Sequence, residues 1–272
     1  MSLRIQNNVE AFNAHRQLAG TGTQMAKSME RLSSGFRINR AADDAAGLAI
    51  SEKLRAQIGG VAQAQRNAQD AVSLVQTAEG ALSEVHAILG RVRDLTVQYE
   101  NGTLSSSDKT SIEDEIQDLG SEIGRIRDVT EFNGIALLSS AATVTFQVGA
   151  DDGQTLGVSV TDVYSSSSTV VDSDFFTNYS SQTGRLSSLD GMISAVATQR
   201  ATFGSTQNRL EHTLNNLSTY QENLTASESR IRDVDMAAEM VKFTKYQILQ
   251  QAGTSMLAQA NSAPQAVLSL LR

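Results

Sequence analysis

The chain contains no cysteine and no tryptophan, and it has a single proline, Pro264, among its 272 residues. The absence of cysteine excludes disulfides, thiol catalysis and thiolate metal sites. Because proline is the strongest helix breaker, its scarcity permits long uninterrupted helices. Aromatic residues make up only 5% of the chain. Leu, Ile, Val and Ala must therefore form narrow seams in place of a bulky round core.

Charge and hydropathy exclude further classes. The net charge is −8, and no Lys or Arg occurs between residues 128 and 184. This acidic, Ser/Thr-rich middle is predicted to face water, and it disfavours a nucleic-acid partner. No stretch approaches the ~18 continuous apolar residues of a membrane span. Residues 1–20 lack the apolar region of a cleaved secretory signal, so we expect any export to use another route.

Two stretches, residues 45–99 and 186–231, carry apolar residues at alternating steps of three and four. This spacing puts the side chains on one stripe of each helix, the seam that a coiled coil buries. The second helix would be roughly 70 Å long at about 1.5 Å per residue. Each helix needs a long mate, and the other supplies it. Polar residues also fall on the seams, where they fit control of register: Gln65, Glu79, Arg200, Gln207, Gln221 and Glu228.

The middle of the chain changes its period from 3.6 to 2. A third helix, capped near Ser107 or Asp108, precedes alternating apolar residues at 144–160 around a turn at Asp152-Gly153, the signal of a β-hairpin. A low-complexity run follows at 165–169, and Asn178 and Tyr179 are presumed to lie on the outer surface. We therefore predict a mainly α fold: a long antiparallel, coiled-coil-like helical rod with a small β-hairpin region.

The terminal helices, residues 3–32 and 236–271, are predicted to pair with each other. Their apolar residues find too little partner surface in one copy, so other copies are expected to cover them. We expect both ends to be disordered in the free monomer and to fold on assembly. The predicted subunit-packing residues are Leu3, Ile5, Val9, Phe12, Met240, Phe243, Ile248, Met256, Val267, Leu268 and Leu271.

Three parts follow from this layout. Residues 1–43 and 233–272 form the paired terminal helices. Residues 44–130 and 185–232 form the helical rod, and residues 131–184 form the small hairpin and outer loop.

Several segments resemble the terminal signatures of bacterial flagellin. They are Arg31–Arg40, Asp43–Ile50, Gln76–Leu82, Leu89–Leu95, Phe132–Gly134, Asn208–His212, Glu228–Asp235, Ala258–Asn261 and Leu268–Arg272. The resemblance covers about residues 1–150 and 184–272. It implies a subunit exported unfolded through the flagellar type III apparatus and polymerised into an extracellular filament. In such a filament the resemblance implies that the paired terminal helices form the inner core. It also implies an export chaperone that binds the Met236–Leu271 helix, and contacts with hook-associated junction and cap proteins. Many flagellins insert large outer domains between Val160 and Gly184, where this chain has only a short segment.

The resemblance also implies surface sites. The contact residues for the innate-immune flagellin receptor (Toll-like receptor 5) fall on Arg91, Leu95 and Glu115, which are otherwise interpreted as ordinary helix residues. Outer Ser and Thr of flagellins are often O-glycosylated, and an unmodified loop is equally consistent with this sequence. The candidates are Ser165, Ser166, Ser167, Ser168 and Thr169.

No constellation of residues predicts catalysis, a cofactor or a metal. His15, His86 and His212 each lack the i, i+4 partner of a metal-binding helix. The Asp151-Asp152 pair fits a solvated turn better than a cation site. The charged run 228–235 is either a solvated face or a source of salt bridges. Its predicted partners, in the same or a neighbouring subunit, are Arg31, Arg37 or Arg40.

Two rival functions stay open. A hook–filament junction protein would share the terminal helices but act as an adaptor of few copies. A secreted coiled-coil effector would need a membrane-inserting apolar helix, which the sequence lacks. An enzyme is the weakest interpretation, because no convergent set of titratable groups exists.

Overall fold

The computed structural model describes residues 8–165 and 170–270, with side chains described for 8–164 and 170–262. The fold is mainly helical, as the sequence predicts. The helices are α1 (Val9–Ser34), α2 (Ala45–Tyr99), α3 (Ser106–Val129), α4 (Ser173–Thr177), α5 (Arg185–Arg232) and α6 (Met236–Leu270). The strands are β1 (Glu131–Phe132), β2 (Ile135–Ala136), β3 (Ala142–Gln147), β4 (Thr155–Val160), β5 (Tyr164–Ser165) and β6 (Val171–Asp172), and a 3₁₀ turn spans Tyr179–Ser181.

The chain divides into two compact units. The terminal unit comprises Met1–Ala56 and Asn223–Arg272, and the central unit comprises Gln57–Glu222. The long helices α2 and α5 therefore contribute residues to both units.

Side chains that bind free backbone amides fix the helix starts. Asp44 caps α2 by accepting a hydrogen bond from the Gly47 amide at 2.9 Å. The cap of α3 is Ser105, upstream of the predicted Ser107 or Asp108. Ser105 Oγ accepts from the Asp108 amide at 3.3 Å, and the Asp108 carboxylate accepts from the Ser105 amide at 3.1 Å. This reciprocal arrangement is a capping box, in which Asp108 is the third helical residue.

The core of the central unit lies along α2. The predicted seam is buried, with Val75, Leu82 and Leu89 all fully inaccessible. A second stripe of the same helix, which includes Leu74 and Ala78, is equally buried. Helix α2 is therefore covered on two faces, because α3 and the β segments pack here in addition to α5.

The hairpin forms where the period of two predicts it. Strands β3 and β4 pair antiparallel, with Ala142 opposite Val160 and Gln147 opposite Thr155. Gly153 in the turn has a φ of 82°, a left-handed conformation that favours glycine. Leu156, Val158 and Val160 of β4 are buried and alternate with exposed residues. One face of the hairpin therefore packs against the core of the central unit.

The segment between the hairpin and α5 contains a buried aromatic cluster, Phe175, Phe176 and Tyr179, which we call the aromatic plug. Phe175, Phe176 and Tyr179 are each at most 3% exposed, so the presumed outer position of Tyr179 is wrong. Phe175 makes edge-to-face contacts with Phe176 and Tyr179, at centroid distances of 5.3 and 5.5 Å. The Tyr179 hydroxyl donates to Thr96 Oγ1 at 3.0 Å, which satisfies its polar end inside the core. Burial raises the pKa of Tyr179 above its ordinary value.

Candidate assembly surface

Helices α1 and α6 of the terminal unit pair antiparallel. The Asn8 side chain donates to the Ala260 carbonyl at 2.7 Å near one end. At the other end, Ser28 Oγ donates to Glu239 Oε1 at 2.5 Å. Successively later residues of α1 therefore face successively earlier residues of α6.

The inward positions of the pair repeat at steps of three and four, but their chemistry is unusual for a core. On α1 the buried or partly buried positions that follow these steps are Ala11, Ala14, Leu18, Thr21, Met25, Ser28 and Leu32. On α6 they are Glu239, Phe243, Tyr246, Gln250, Gly253, Leu257 and Ala260. More than half of these residues are small or polar. The interface between the two helices therefore buries little of their apolar surface.

Bulky apolar side chains of the same two helices point outward. They are Val9, Phe12, Met29, Met236, Met240, Val241, Ile248, Leu249 and Met256, each at least 45% exposed. Val241 and Ile248, which are 70% and 61% exposed, line a groove of about 380 Å³ on α6 together with Met240, Thr244 and Lys245. Contiguous exposed apolar surface of this kind marks an interaction site.

The structure can be compared with the predicted packing residues one by one. Val9, Phe12, Met240, Ile248 and Met256 are exposed as expected, and Phe243 is half-buried inside the pair. Val267 and Leu268 lie on α6, but their side chains fall outside the described set. Leu3, Ile5 and Leu271 lie outside the described residues. Sequence reasoning missed Val241 and Leu249, which lie seven residues before Ile248 and Met256 and so share their faces of α6, and it missed Met29 on α1.

A buried carboxylate lies at one end of the pair. Glu239 is 3% exposed and receives hydrogen bonds from Ser28 on α1 and from Lys242 Nζ at 2.9 Å. The Arg31 guanidinium stands 4.0 Å away. Burial acts to raise the pKa of Glu239, but the bonds from Ser28 and Lys242 and the charges of Lys242 and Arg31 outweigh it and hold the pKa below the ordinary value. Glu239 therefore stays ionised inside the pair.

The loop after α1 is bonded to the end of α5. The Arg37 amide donates to the Arg232 carbonyl at 2.6 Å, and the Val234 amide donates to the Gly35 carbonyl at 3.0 Å. The Arg232 guanidinium stacks 4.7 Å over the Phe36 ring. Backbone groups thus supply most of the contacts at this junction.

The ion pairs predicted between the run 228–235 and three arginines are not formed within this chain. Arg37 bonds to the Ile231 carbonyl, and Arg40 pairs with Glu30 at 2.9 Å. Arg31 instead faces Glu239, which lies outside that run. Within the run, Arg232 pairs with Glu52 at 2.9 Å. The prediction is therefore wrong for contacts within one chain, and it stays a prediction for a neighbouring subunit. The Ile231 carbonyl takes the Arg37 donor, whereas Arg40 and Arg31 pair with Glu30 and Glu239.

Asp43 anchors the loop that precedes α2. Its carboxylate lies 2.6 Å from Lys27 Nζ and accepts from the amides of Asn39 and Arg40 at 3.2 Å each. The bond from Lys27, followed by the two amide bonds, lowers the pKa of Asp43 from 3.8 to about 2.

The three predicted receptor residues lie in the central unit, and the structure separates them. Arg91 Nη2 lies 2.6 Å from Glu115 Oε1, and the two side chains are 57% and 45% exposed. Leu95 is only 2% exposed and belongs to the core. It cannot form part of an exposed contact, because its position on the seam directs it inward. Arg91 and Glu115 remain as a surface ion pair that joins α2 to α3.

A polar pair crosses the predicted long seam. Arg200 Nη2 on α5 lies 3.5 Å from Glu79 Oε1 on α2, and both side chains are about one-third exposed. Glu228 accepts from Ser51 at 3.1 Å in the terminal unit. These contacts fit the predicted role in register.

The described residues contain neither a metal-binding group nor a membrane-spanning helix. No group of three or more His, Cys, Asp or Glu there is placed to hold a metal ion. Nor does any helix in that part of the chain have the length and apolar character to cross a membrane.

The chain matches two protein-family descriptions. Residues 5–143 match the bacterial flagellin N-terminal helical region, and residues 186–271 match the bacterial flagellin C-terminal helical region. The segment left between them contains β4, the aromatic plug and the start of α5.

Similar proteins cover nearly the whole chain. A flagellin from Halalkalibacterium halodurans is 52% identical over 98% of this chain and 99% of its own length. A flagellin from Bacillus subtilis is 47% identical over 99% of this chain and 100% of its own. The flagellar filament 33 kDa core protein of Treponema phagedenis is 44% identical over 98% and 99%, respectively.

Proposed function

Because the chain belongs to the bacterial flagellin family, whose members build the extracellular flagellar filament, we propose that its outward apolar face on α1 and α6 is the surface that closes the polymer. The protein is a structural subunit that polymerises into the filament used for swimming. One observation carries the proposal: more than half of the inward positions of the terminal pair are small or polar, while many bulky apolar side chains of the same helices lie in solvent. Neighbouring copies would cover these side chains, at about 1.5–3 kcal/mol for each one fully buried.

In this proposal the three parts of the chain have separate roles. Residues 1–43 and 233–272 line the inner core of the filament and become ordered only on assembly. Residues 44–130 and 185–232 form the surrounding layer, and residues 131–184 face outward. The exposed bulky side chains of the first part support this division, because they need cover that one copy does not supply.

Serine substitutions on the outward face test the proposal. The double variant Val241→Ser and Ile248→Ser removes two exposed apolar side chains from α6. We expect its critical concentration for polymerisation to rise at least about tenfold, since roughly 1.4 kcal/mol corresponds to each factor of ten. Gln247→Ser, an exposed polar change on the same helix, is the matched control and should polymerise normally. Filaments from the double variant at wild-type concentrations would overturn the proposal.

The same exposed face needs cover before assembly. We assign that cover to a dedicated export chaperone acting ahead of the flagellar type III apparatus, through the Met236–Leu271 helix. Sedimentation of chaperone with a chain truncated after residue 235 tests this assignment. Unchanged binding by the truncated chain would refute it.

Contacts with hook-associated junction and cap proteins are proposed at the two ends of the polymer, through the same terminal helices. The rival function, a junction adaptor of few copies, predicts that purified protein forms no long polymer. Electron microscopy of the purified chain at increasing concentration separates the two, and filaments of unlimited length support the flagellin assignment.

The Arg91–Glu115 pair is proposed as a contact for the innate-immune flagellin receptor. Its exposure in the central unit supports access by a partner. Arg91→Ala is expected to weaken receptor signalling by the monomer while leaving its thermal unfolding unchanged, because an exposed ion pair adds only about 0–1 kcal/mol. Full signalling by this variant would exclude the site.

The run Ser165–Thr169 is proposed as an O-glycosylation segment. Ser166, Ser167, Ser168 and Thr169 lie outside the described residues, as does the side chain of Ser165. Intact-mass spectrometry of native filaments tests the proposal, and a mass equal to that of the bare polypeptide would refute it.

A further inference from the structure

The interface between α1 and α6 has a spacing that does not by itself fix its register. Its inward positions repeat every seven residues on both helices. If one helix slides by seven residues, about 10 Å at 1.5 Å per residue, the inward positions of the two helices face each other again. Small residues such as Ala14 and Gly253 fit many partners, so packing alone discriminates weakly between such registers.

The contacts of Glu239 strongly favour the observed register over the two shifted ones. This residue is the only acidic residue on α6, and its carboxylate is buried against Ser28 with Arg31 4.0 Å away. A slide of seven residues would put Glu239 opposite Thr21, whose hydroxyl already bonds to the Gln17 carbonyl. The opposite slide would put it opposite Gly35, beyond the end of α1. In either case a buried charge would lose its partners on α1, which is strongly unfavourable.

We propose that Glu239 sets the register in which α1 pairs with α6, so that every copy presents the same outward apolar pattern to its neighbours. A single buried polar residue that fixes helix register is the best-supported role for such groups. The inference rests on the proposed assembly surface, since a slide of about 10 Å would misalign the outward residues of the two helices. The exposed backbone bonds between Gly35–Arg37 and the end of α5 are the competing explanation for the observed register.

The natural absence of cysteine allows the register to be trapped chemically in the full chain. A Cβ atom built at Gly253 lies 3.9 Å from Leu18 Cβ, within the roughly 3.5–4.5 Å that a disulfide spans. Leu18→Cys with Gly253→Cys therefore reports the observed register. Leu18→Cys with Tyr246→Cys, or with Ala260→Cys, reports a slide of seven residues in either direction. Mild oxidation followed by non-reducing electrophoresis separates the intramolecular product from disulfides between copies.

Each reporter pair is combined with Glu239→Leu, Glu239→Gln or Gln247→Leu. With Glu239 intact we expect only the 18–253 disulfide. Glu239→Leu should raise the shifted disulfides at least about tenfold, since it removes the group that only one register satisfies. Glu239→Gln keeps an oxygen that accepts from Ser28 and should retain the observed register. Gln247→Leu adds the same leucine at an exposed position of α6 and should change nothing.

Two results would overturn the proposal. The first is exclusive formation of the 18–253 disulfide with Glu239→Leu, which would assign the register to the backbone bonds at Gly35–Arg37. The second is equal slippage with Gln247→Leu, which would show a general effect of leucine. The readout does not require polymer, because oxidation traps α1 and α6 within one chain whenever the two helices meet, even though both ends are proposed to be otherwise disordered in the monomer. If the reduced chain with Leu18→Cys, Gly253→Cys and an unchanged Glu239 failed to polymerise, that result would count against the assembly surface and not against the register.

Discussion

The two units of this molecule differ in where their large apolar side chains lie, buried in the central unit and exposed in the terminal unit. In the central unit Leu82, Leu89 and Ile116 are completely inaccessible to solvent. In the terminal unit Phe12, Val241 and Ile248 are 61–70% exposed. The helices of both units are regular, so the difference lies in which face of each helix carries the bulk. A unit that hides its large side chains is stable alone, whereas one that displays them is stabilised by partners.

This difference supports the proposed role of the terminal unit in the polymer. The hydrophobic core of the central unit is already buried within one chain, so the addition of neighbouring copies does not require this unit to refold. The terminal pair of α1 and α6 exposes bulky apolar side chains and buries the Glu239 carboxylate, for which we propose a role in register. Each prediction below changes one side of the comparison and leaves the other untouched.

The largest effect is expected from a cavity in the central unit. Leu82→Ala removes a fully buried side chain and should destabilise the monomer by about 2–5 kcal/mol. Urea unfolding followed by circular dichroism measures the change. Ile248→Ala, the same kind of truncation on the outer face of the terminal unit, is the matched control. We expect a change below about 0.5 kcal/mol for it, because its side chain is exposed. Equal losses for both variants would erase the distinction between the units.

A smaller effect is expected at the aromatic plug. A Cβ atom at Gly120 on α3 would lie 2.6 Å from the Phe176 ring, which is closer than real contacts allow. Gly120→Ala should therefore destabilise the central unit by about 1–3 kcal/mol. Gly80→Ala on α2 meets nothing within 4 Å and should instead stabilise by up to about 1 kcal/mol. Thermal unfolding of the two monomers in parallel gives both signs, and a stabilising Gly120→Ala would mean that the plug does not pack on α3.

The smallest effect concerns the loop of the terminal unit. Because the pKa of Asp43 is lowered from 3.8 to about 2, its contribution is present in full above pH 4 and is lost as the pH falls through 2. Two pKa units correspond to roughly 2.5 kcal/mol. Lys27 is 41% exposed, so screening reduces our expectation to about 1 kcal/mol. Asp43→Asn filaments should dissociate at a lower temperature than wild type at pH 6, and the gap should close toward pH 2.

Asp152→Asn, at the exposed turn of the hairpin in the central unit, is the control for this measurement. It should leave the dissociation temperature unchanged at both ends of the pH range. A gap between Asp43→Asn and wild type that stays constant from pH 6 to pH 2 would contradict the role assigned to the Asp43 carboxylate.

Periodicity predicted the regular elements well. Helix α2 spans residues 45 to 99, as its apolar spacing predicts, and it begins directly after the Asp44 cap. The hairpin follows from strict alternation around Gly153. These features depend on local sequence, so they can be derived without knowing what packs against them.

Features created by tertiary contact could not be predicted in the same way. The aromatic plug mixes Phe175 and Phe176 with aspartates and serines, a composition typical of an exposed loop. Glu239 suggests a solvated charge until Ser28 and Arg31 are brought to it from α1. Leu95 is a different case. Its place on the α2 seam already indicated burial, and this should have removed it from the set of receptor contacts.

Amide hydrogen exchange compared between monomer and filament tests the contrast between the two units most directly. We predict that α1 and α6 exchange rapidly in the monomer and become strongly protected in the filament, while Leu82 and Leu89 in α2 are protected in both states. Equal, strong protection of α1 and α6 in the monomer and the filament would contradict the account, because the outward apolar face would then need no neighbour.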